Sequence, residues 1–292
     1  MTNAKNKLKV AIQGARGSFH ELAGIKYFGE HIQSIECITF KNVFDSVLNS
    51  EADFGITAIE NTVAGTILPN YAILRESDVK IIGEVYLHIQ QNLLSLKGQT
   101  IENIVEVHSH PMAILQCQNF FEQYPHIKLI EADDTGSRAK WIAENNLSGM
   151  GAIAGIHVAD MYNLQVLAES IETHKKNFTR FLVICPNPKG SIGKPQQLPL
   201  GRGANKSSIC FNVSHSKGSL ANVLTKLAHH DINLTKIQSL PVIGKEWEYY
   251  IHVDMEFENY NQYLQAMEEI KPSLIEFKIL GEYKRGNNIF EN

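Results

Sequence analysis

The chain of 292 residues is 43% hydrophobic and 20% charged, and it carries a net charge of −4 at pH 7. This composition is typical of a globular protein, and the length indicates about two domains. The slightly acidic balance argues against nucleic acid or an anionic membrane as a partner. The four cysteines are scattered without a CxxC pair, which argues against a disulfide framework or a zinc site. The start lacks the apolar core of a signal peptide, and no apolar run reaches roughly 18 residues, so we expect a cytoplasmic protein.

Apolar stretches alternate with amphipathic ones as far as residue 185. We predict strands at residues 8–13, 35–40, 53–59, 79–95 (with a bend), 104–108, 127–131, 151–154 and 178–185. We predict helices at residues 18–29, 42–50, 67–76, 110–123 and 135–145. Strands and helices that alternate in this way favour an α/β fold with largely parallel sheets.

The first predicted strand runs into a glycine-containing turn, residues 14–21, which opens the first helix. Backbone amides at such a helix start could hold an anion. The turn lacks the GK[ST] of a P-loop and the third glycine of a dinucleotide fingerprint, which argues against both nucleotide motifs.

The polar segment 59–66, Ile-Glu-Asn-Thr-Val-Ala-Gly-Thr, directly follows a predicted strand. Loops at the carboxyl ends of strands are the usual binding position in open α/β sheets. Glu60, Asn61 and Thr62 could therefore hold a substrate. Alternatively, Asn61 caps the next helix and Glu60 is solvated.

A second such segment, residues 108–117, ends one predicted strand and begins a helix. We predict Ser109 as the N-cap and place Gln116 two turns into the helix. His108 and His110 stand two residues apart, but without a third ligand they argue against a metal site.

Thr179 and Arg180 place a hydroxyl beside a guanidinium at the start of an apolar strand. Adjacent strand residues point to opposite faces, so two polar residues together indicate a strand end that opens on a cavity. Arginine is well shaped for bidentate carboxylate recognition, and a threonine could donate to the same ligand. Alternatively, the pair is an ordinary strand former followed by a strand terminator.

Residues 186–206, rich in proline and glycine, are predicted to be a linker. After the linker we predict strand 206–214, helix 218–230, strand 232–241, strand 246–257, helix 259–271 and strand 274–280. This βαββαβ order is ferredoxin-like.

Four segments together resemble the prephenate dehydratase family with a C-terminal ACT domain. The family patterns G-x-x-G-[ST]-[FY], I-E-N-[ST]-x-x-G, S-H-P-Q-x-x-x-Q-C and N-x-T-R-F match residues 14–19, 59–65, 109–117 and 177–181. The order and approximate spacing also agree, so the resemblance covers nearly the whole chain. Met112, Gln238, Leu240 and Ser219 depart from it, where the family commonly has Gln, Glu, Arg and Ala.

The resemblance implies a periplasmic-binding-protein-like α/β catalytic domain of two lobes, with the substrate between the lobes, and a βαββαβ ACT regulatory domain. The expected boundaries are catalytic domain 1–186 (first lobe 1–76 and 162–186, second lobe 77–161), linker 187–205 and ACT domain 206–285.

The resemblance further implies conversion of prephenate to phenylpyruvate, CO2 and water. Aromatisation drives that reaction, so no cofactor and no metal are expected. Thr179 would donate to the leaving hydroxyl, and Arg180 would bind the pyruvyl carboxylate. The implied substrate-binding residues are Ser18 with the Gly17 turn, Asn61, Thr62, Ser109, Gln116 and Phe181.

For the tail, the resemblance implies a homodimer or homotetramer that binds L-phenylalanine as a feedback inhibitor. The implied effector residues are Gly218, Ser219, Leu220, Asn233, Leu234, Gln238 and Ser239. Two alternatives remain open at this stage. Arogenate dehydratase acts on the substrate that bears an amine in place of the keto oxygen, and a non-catalytic sensor would bind its ligand without turnover.

Overall fold

The structure is a computed structural model that describes residues 7–187 and 203–287. It divides into two compact units, Met1–Ile67 with Val85–Phe181 and Leu68–Glu84 with Leu182–Asn292. Residues 188–202, which make up most of the predicted linker, lie outside the described part of the chain.

Within the described residues the strands are β1 (Leu8–Gln13), β2 (Ile32–Cys37), β3 (Phe54–Asn61), β4 (Gly65–Thr66), β5 (Val79–His88), β6 (Asn92–Ser95), β7 (Glu106–Ser109), β8 (Lys128–Glu131), β9 (Met150–Ala154), β10 (Gln165–Ala168), β11 (Phe178–Pro186), β12 (Lys206–Asn212), β13 (Asn233–Pro241), β14 (Tyr249–Glu256) and β15 (Glu276–Tyr283). The helices are α1 (Phe19–Phe28), α2 (Phe40–Leu48), α3 (Leu68–Glu76), α4 (Pro111–Gln116), α5 (Gln118–Phe121), α6 (Thr135–Glu144), α7 (His157–Met161), α8 (Ser219–His229) and α9 (Tyr260–Ile270). None of these helices combines the length and the apolar character needed to span a bilayer.

Most predicted elements are present, with ends shifted by a few residues. Two predictions need correction. The predicted strand 79–95 is two strands, β5 and β6, and the predicted helix 110–123 is divided at Cys117 into α4 and α5. The short elements β4, α7 and β10 were not predicted, because stretches of two to five residues carry too little periodicity.

The first unit contains a sheet with strand order β2-β1-β3-β11-β5, to which β11 and β5 contribute the residues that lie in this unit, 178–181 and 85–88. β1 pairs in parallel with both β2 and β3, as the alternating pattern predicted. Helices α1 and α2 both contact β1 and β3. Residues 54–59 of β3 are consequently all buried, which explains why this strand is a continuous apolar run in the sequence.

A second sheet of the first unit has strand order β10-β6-β9-β7-β8. β7 is parallel to β8 and β9, whereas β6 is antiparallel to β9 and β10. Leu93 and Leu94, neighbours in β6, belong to two separate apolar clusters. Because neighbouring strand residues point to opposite faces, both faces of this sheet are covered.

The sheet membership of two strands differs from the expected lobe boundaries. β10 pairs with β6 in the second sheet, although residues from 162 onward were assigned to the first lobe. β5 neighbours β11 in the first sheet, although residues 77–161 were assigned to the second lobe. The apolar pattern of a strand does not specify which sheet it joins, because both sheets bury the same residue types.

The second unit contains the predicted βαββαβ succession, from β12 to β15. Its strand order is β13-β14-β12-β15 with antiparallel neighbours, the ferredoxin-like arrangement. Val223 and Leu227 of α8 and Tyr263 of α9 pack with Ile209 and Phe211 of β12. The predicted α/β fold class and the ferredoxin-like tail are thus confirmed.

Lys206, the first residue of β12, forms a buried and fully paired charge within the second unit. Its Nζ lies 3.0 Å from Glu84 Oε1 and 3.2 Å from Glu256 Oε1. Glu84 Oε1 also accepts a hydrogen bond from Gly286 N at 3.1 Å. Buried ions require such additional partners, because attraction within one pair rarely repays the loss of hydration.

Lys206→Ala should lower the free energy of unfolding by about 3–5 kcal/mol, because it removes the buried cation that pairs with the buried carboxylate of Glu84. Urea denaturation measures this loss. The control is Lys271→Ala, since Lys271 pairs with Glu268 at the surface and should contribute only about 0–1 kcal/mol. Equal losses in both variants would contradict the assignment.

Candidate active site

The side chain of Asn61 joins the end of β3 to the start of β11. Its Oδ1 accepts hydrogen bonds from the backbone N–H groups of Val63, at 2.9 Å, and Ala64, at 2.7 Å. Its Nδ2 donates to Thr179 Oγ1 at 2.9 Å and to Asn177 Oδ1 at 2.7 Å. Asn61 thus stabilises its own turn and, at the same time, contacts the threonine predicted to be catalytic.

These contacts determine which end of the Asn61 amide is the oxygen. Backbone N–H groups only donate, so the atom that faces Val63 and Ala64 must be the acceptor. The NH2 group therefore faces β11, and Thr179 Oγ1 accepts from it. A hydroxyl also has one proton to donate, so the proton of Thr179 remains available to a ligand.

The hydrogen-bonded chain continues from Asn177 to Gln116. Asn177 Nδ2 donates to Gln116 Oε1 at 3.0 Å, and Gln91 Nε2 contacts the same oxygen at 3.4 Å. Both described side-chain contacts of Gln116 thus use its oxygen, which leaves the NH2 group for a ligand. The structure therefore brings together three of the predicted segments, 59–66, 108–117 and 177–181.

Ser109 was predicted to cap the helix, but it does not. It is the last residue of β7, and its hydroxyl donates to Ile153 O at 2.8 Å. The N-cap of α4 is His110, whose Nδ1 accepts from Met112 N at 3.2 Å. The predicted N-cap is wrong by one residue, because the Ser109 hydroxyl donates to a carbonyl of the neighbouring strand β9. The local sequence does not reveal this contact.

The carboxylate of Glu21 occupies the glycine-containing turn. Its Oε2 accepts from Gly17 N at 2.7 Å, and its Oε1 accepts from Ser34 Oγ at 2.6 Å and lies 3.4 Å from Arg16 Nε. Contrary to the expectation from the sequence, the Gly17 amide therefore already holds an anion from its own helix. Ser18 Oγ accepts from Glu21 N at 3.3 Å, so its hydroxyl proton stays available.

The start of α6 lies against the same turn, a contact that the sequence analysis missed. A Cβ on Gly136 would lie 2.9 Å from Arg16 O, and one on Gly14 would lie 2.7 Å from Asp134 Oδ1. The absence of side chains at both glycines therefore permits this close approach. Asp134 caps α6 by accepting from Ser137 N at 2.8 Å, and burial raises the pKa of its carboxyl. The cap is visible in the sequence, whereas the non-local contact is not.

Arg180 follows Thr179 on β11 and is 6% exposed. Because neighbouring strand residues point to opposite faces, its side chain leaves the strand on the face opposite Thr179. The two predicted catalytic side chains are therefore adjacent in the chain but do not project to the same side of the sheet.

Phe181 and Thr62 contact neighbouring parts of the protein and hold β11 in position. Phe181 is 1% exposed and packs edge-on against His20, with ring centres 5.1 Å apart. Thr62 Oγ1 donates to Lys176 O at 3.0 Å and accepts from Phe178 N at 2.9 Å. The structure therefore places both predicted substrate-binding residues in roles that hold β11.

The two histidines weighed for a metal site have other contacts. His108 Nε2 lies 3.3 Å from Glu106 Oε2, and its ring lies 5.5 Å from that of Trp141, while His110 caps α4. Among the described residues, no three His, Cys, Asp or Glu side chains are grouped to hold a metal. The absence of a cofactor stays a prediction.

The residues predicted for an effector divide into two groups within the second unit. Gly218, with φ of 82°, begins α8, and a cavity of about 430 Å³ lies beside this helix start. Its lining includes Ser214, Ser219, Leu220, Trp247 and Tyr249. The other predicted effector residues lie on β13 and do not line this cavity within one chain: Asn233, Leu234, Gln238 and Ser239.

His20 packs between Phe40 and Phe181 beneath the site. Its Nε2 accepts from Ala58 N at 3.3 Å. Burial lowers the pKa of its imidazole to about 3, so His20 is neutral in the folded protein near pH 7.

The folded state should lose stability as the pH falls below 6.5. His20 takes up a proton near pH 6.5 when unfolded but only near pH 3 when folded, so acid favours the unfolded state by up to about 1.4 kcal/mol per pH unit. Urea unfolding between pH 7 and pH 4 should show a shallower decline for His20→Gln than for the wild type. Exposed His31→Gln is the control and should keep the wild-type slope.

Part of the decline should persist in His20→Gln, because burial also lowers the pKa values of His157 and His252. An unchanged slope in His20→Gln would contradict the neutral buried state of this histidine.

A family model described as prephenate dehydratase matches residues 10–189 of the chain. The chain is 35% identical over 283 residues to a bifunctional chorismate mutase/prephenate dehydratase of Aquifex aeolicus (strain VF5), covering 96% of this chain and 75% of that protein. It is 32% identical over 305 residues to arogenate dehydratase 2 of Petunia hybrida, covering 99% and 75%.

Solved structures share the fold. A prephenate dehydratase from Arthrobacter aurescens in complex with L-Phe has a TM-score of 0.79 at 22% identity and covers 95% of this chain and 90% of its own. A protein described as GqqA, a quorum quenching acylase, has a TM-score of 0.81 at 24% identity and covers 97% and 100%. At these identities, the likeness concerns the fold alone.

Proposed function

The chain belongs to the prephenate dehydratase family, and on that premise we propose how its site forms phenylpyruvate from prephenate. The ring of prephenate loses its carboxylate as CO2 and its 4-hydroxyl as water. Aromatisation supplies the driving force. The protein must therefore orient a dianion and supply a proton or hydrogen bond to the departing hydroxyl.

Thr179 is the proposed donor to that hydroxyl. The observation that carries this assignment is the orientation of Asn61, which makes Thr179 Oγ1 an acceptor and leaves the threonine proton for the substrate. A hydroxyl that accepts a hydrogen bond also becomes a stronger donor, because successive hydrogen bonds polarise one another. General-acid assistance is typically about 10²–10⁴-fold, and a threonine belongs at the lower end of that range.

Gln116, Ser109 and Ser18 are proposed to orient the substrate. Gln116 offers its NH2 group, Ser18 offers its hydroxyl proton, and the Ser109 oxygen can still accept a hydrogen bond. Arg180 is proposed to attract the pyruvyl carboxylate from the opposite face of β11, without a ligand atom shared with Thr179.

Prephenate, rather than arogenate, is the proposed preferred substrate. The two differ at one group, because a keto oxygen only accepts hydrogen bonds whereas an ammonium group only donates them. The Gln116 NH2 group is a donor, so it suits the keto form. Because one relative is an arogenate dehydratase, the two substrates must be compared directly.

Purified protein should convert prephenate with a higher kcat/KM than arogenate, measured by phenylpyruvate absorbance in alkali and by phenylalanine release, respectively.

Thr179→Ala should lower kcat by roughly ten- to a thousandfold with little change in KM, because its hydrogen bond matters in the transition state. Thr179→Ser should remain near the wild type. Prephenate binding without turnover would favour the sensor alternative, and a near-normal kcat in Thr179→Ala would remove Thr179 from the mechanism.

Arg180→Gln is the companion variant in the same assay. If the guanidinium attracts the carboxylate through its charge, KM should rise, because glutamine removes that charge. An unchanged KM with a lower unfolding midpoint would instead assign Arg180 to the stability of β11.

Residues 206–285 are proposed to be an ACT regulatory domain, joined by linker 187–205 to a catalytic domain of residues 1–186. We propose that it forms homodimers or homotetramers and binds L-phenylalanine. The cavity beside the start of α8 supports this, because a helix start suits a carboxylate, and Leu220, Trp247 and Tyr249 in its mixed polar and apolar lining suit an aromatic ring. The β13 residues of a second copy would complete the site, with Gln238 and Leu240 as departures from the family pattern.

L-phenylalanine should inhibit the intact protein. Leu220→Glu places a negative charge in the cavity and should raise the inhibitory concentration by about tenfold or more, a change of about 1.4 kcal/mol. Leu264→Glu on α9, an exposed leucine outside the cavity, should leave inhibition unchanged. An active wild-type enzyme that does not respond to phenylalanine would refute the inhibitory role.

A further inference from the structure

Asn177 is fully buried and stands between two residues of the proposed site. Its Oδ1 accepts from Asn61 Nδ2 at 2.7 Å, and its Nδ2 donates to Gln116 Oε1 at 3.0 Å. Both ends of its amide are therefore hydrogen-bonded to the side-chain amides of neighbouring residues. An amide that bridges two others transmits the orientation of one to the other.

The orientation of this chain of amides starts at the backbone. The N–H groups of Val63 and Ala64 require the oxygen of Asn61 on their side. Asn177 must then meet the Asn61 NH2 group with its own oxygen, since two donors would otherwise face each other. Its NH2 group consequently faces Gln116, which must present its oxygen to Asn177.

We propose that Asn177 is a positioning residue that determines which atom of Gln116 faces the substrate. It does not contact the substrate, and it leaves the Gln116 NH2 group as the donor offered to the substrate. This inference rests on the proposed role of Gln116 as a substrate contact.

Asn177→Asp tests the inference, because the introduced carboxyl has two states. The protonated carboxyl can accept from Asn61 and donate to Gln116, as asparagine does. The ionised carboxylate only accepts, so Gln116 should rotate and present its oxygen to the substrate. Burial raises the pKa of the introduced carboxyl, which brings this change towards the assay range.

The expected result is a KM for prephenate that depends on pH in the variant. Between pH 5 and 8, roughly spanning ionisation of a buried carboxyl, KM should rise about ten- to a hundredfold beyond any change in the wild type. The kcat should change much less, because the Asn61–Thr179 bond is kept. A KM ratio to wild type that is constant with pH would overturn the inference.

A double-variant cycle separates positioning from structural damage. Gln116→Ala should raise KM by itself, and Asn177→Asp should add little in that background, because its effect acts through Gln116. A full additional KM increase in the Gln116→Ala background would overturn the inference. An unchanged KM in Gln116→Ala would instead refute the proposed contact of Gln116 and leave the assignment of Thr179 intact.

Thermal unfolding shows whether each variant is folded before its kinetics are compared. Asn177→Ser provides the test if the aspartate variant does not fold. It removes the bridge without adding a charge, so KM should rise at all pH values and Gln116→Ala should again suppress the increase. A KM equal to that of the wild type in Asn177→Ser would overturn the inference.

Discussion

Two backbone N–H groups, those of Val63 and Ala64, determine the chemistry offered by the site. They fix the oxygen of Asn61 on their side, and every further hydrogen bond in the chain follows from that choice. Thr179 becomes an acceptor from Asn61, and so keeps its proton for the substrate. Gln116 becomes an acceptor from Asn177, and so keeps its NH2 group. The turn after β3 thus acts on groups as far as Thr179, which is 118 residues away in sequence.

The same requirement, that buried polar groups find partners, explains the departures from the expected site. The Gly17 amide is taken by Glu21, the Ser109 hydroxyl by Ile153 O, and the Thr62 hydroxyl by the backbone of the segment before β11. Each group was expected to meet a ligand. Their internal partners hold the turns and strand ends in place. Fewer atoms are therefore left to contact a ligand.

Much of the architecture was predictable because its signals are local. The alternating strands and helices, the ferredoxin-like order of β12 to β15 and the cap at Asp134 depend on neighbouring residues. The resemblance to the prephenate dehydratase family also placed the three segments that the structure joins through Asn61, Asn177 and Gln116. Short elements such as α7 and β10 escaped prediction because a single turn or four strand residues carry little periodic signal.

The sequence by itself determined the types of chemical group, their order along the chain and the elements that carry them. Only the tertiary structure decided the hydrogen-bonding partner of each group, because partners such as Asn61 and Thr179, or Ser109 and Ile153, lie far apart in sequence. It also decided that Gly136 approaches Arg16 closely. The type of a polar side chain limits the hydrogen bonds that it can form. The surrounding fold determines which of them form, since each proton is donated where a neighbouring acceptor lies.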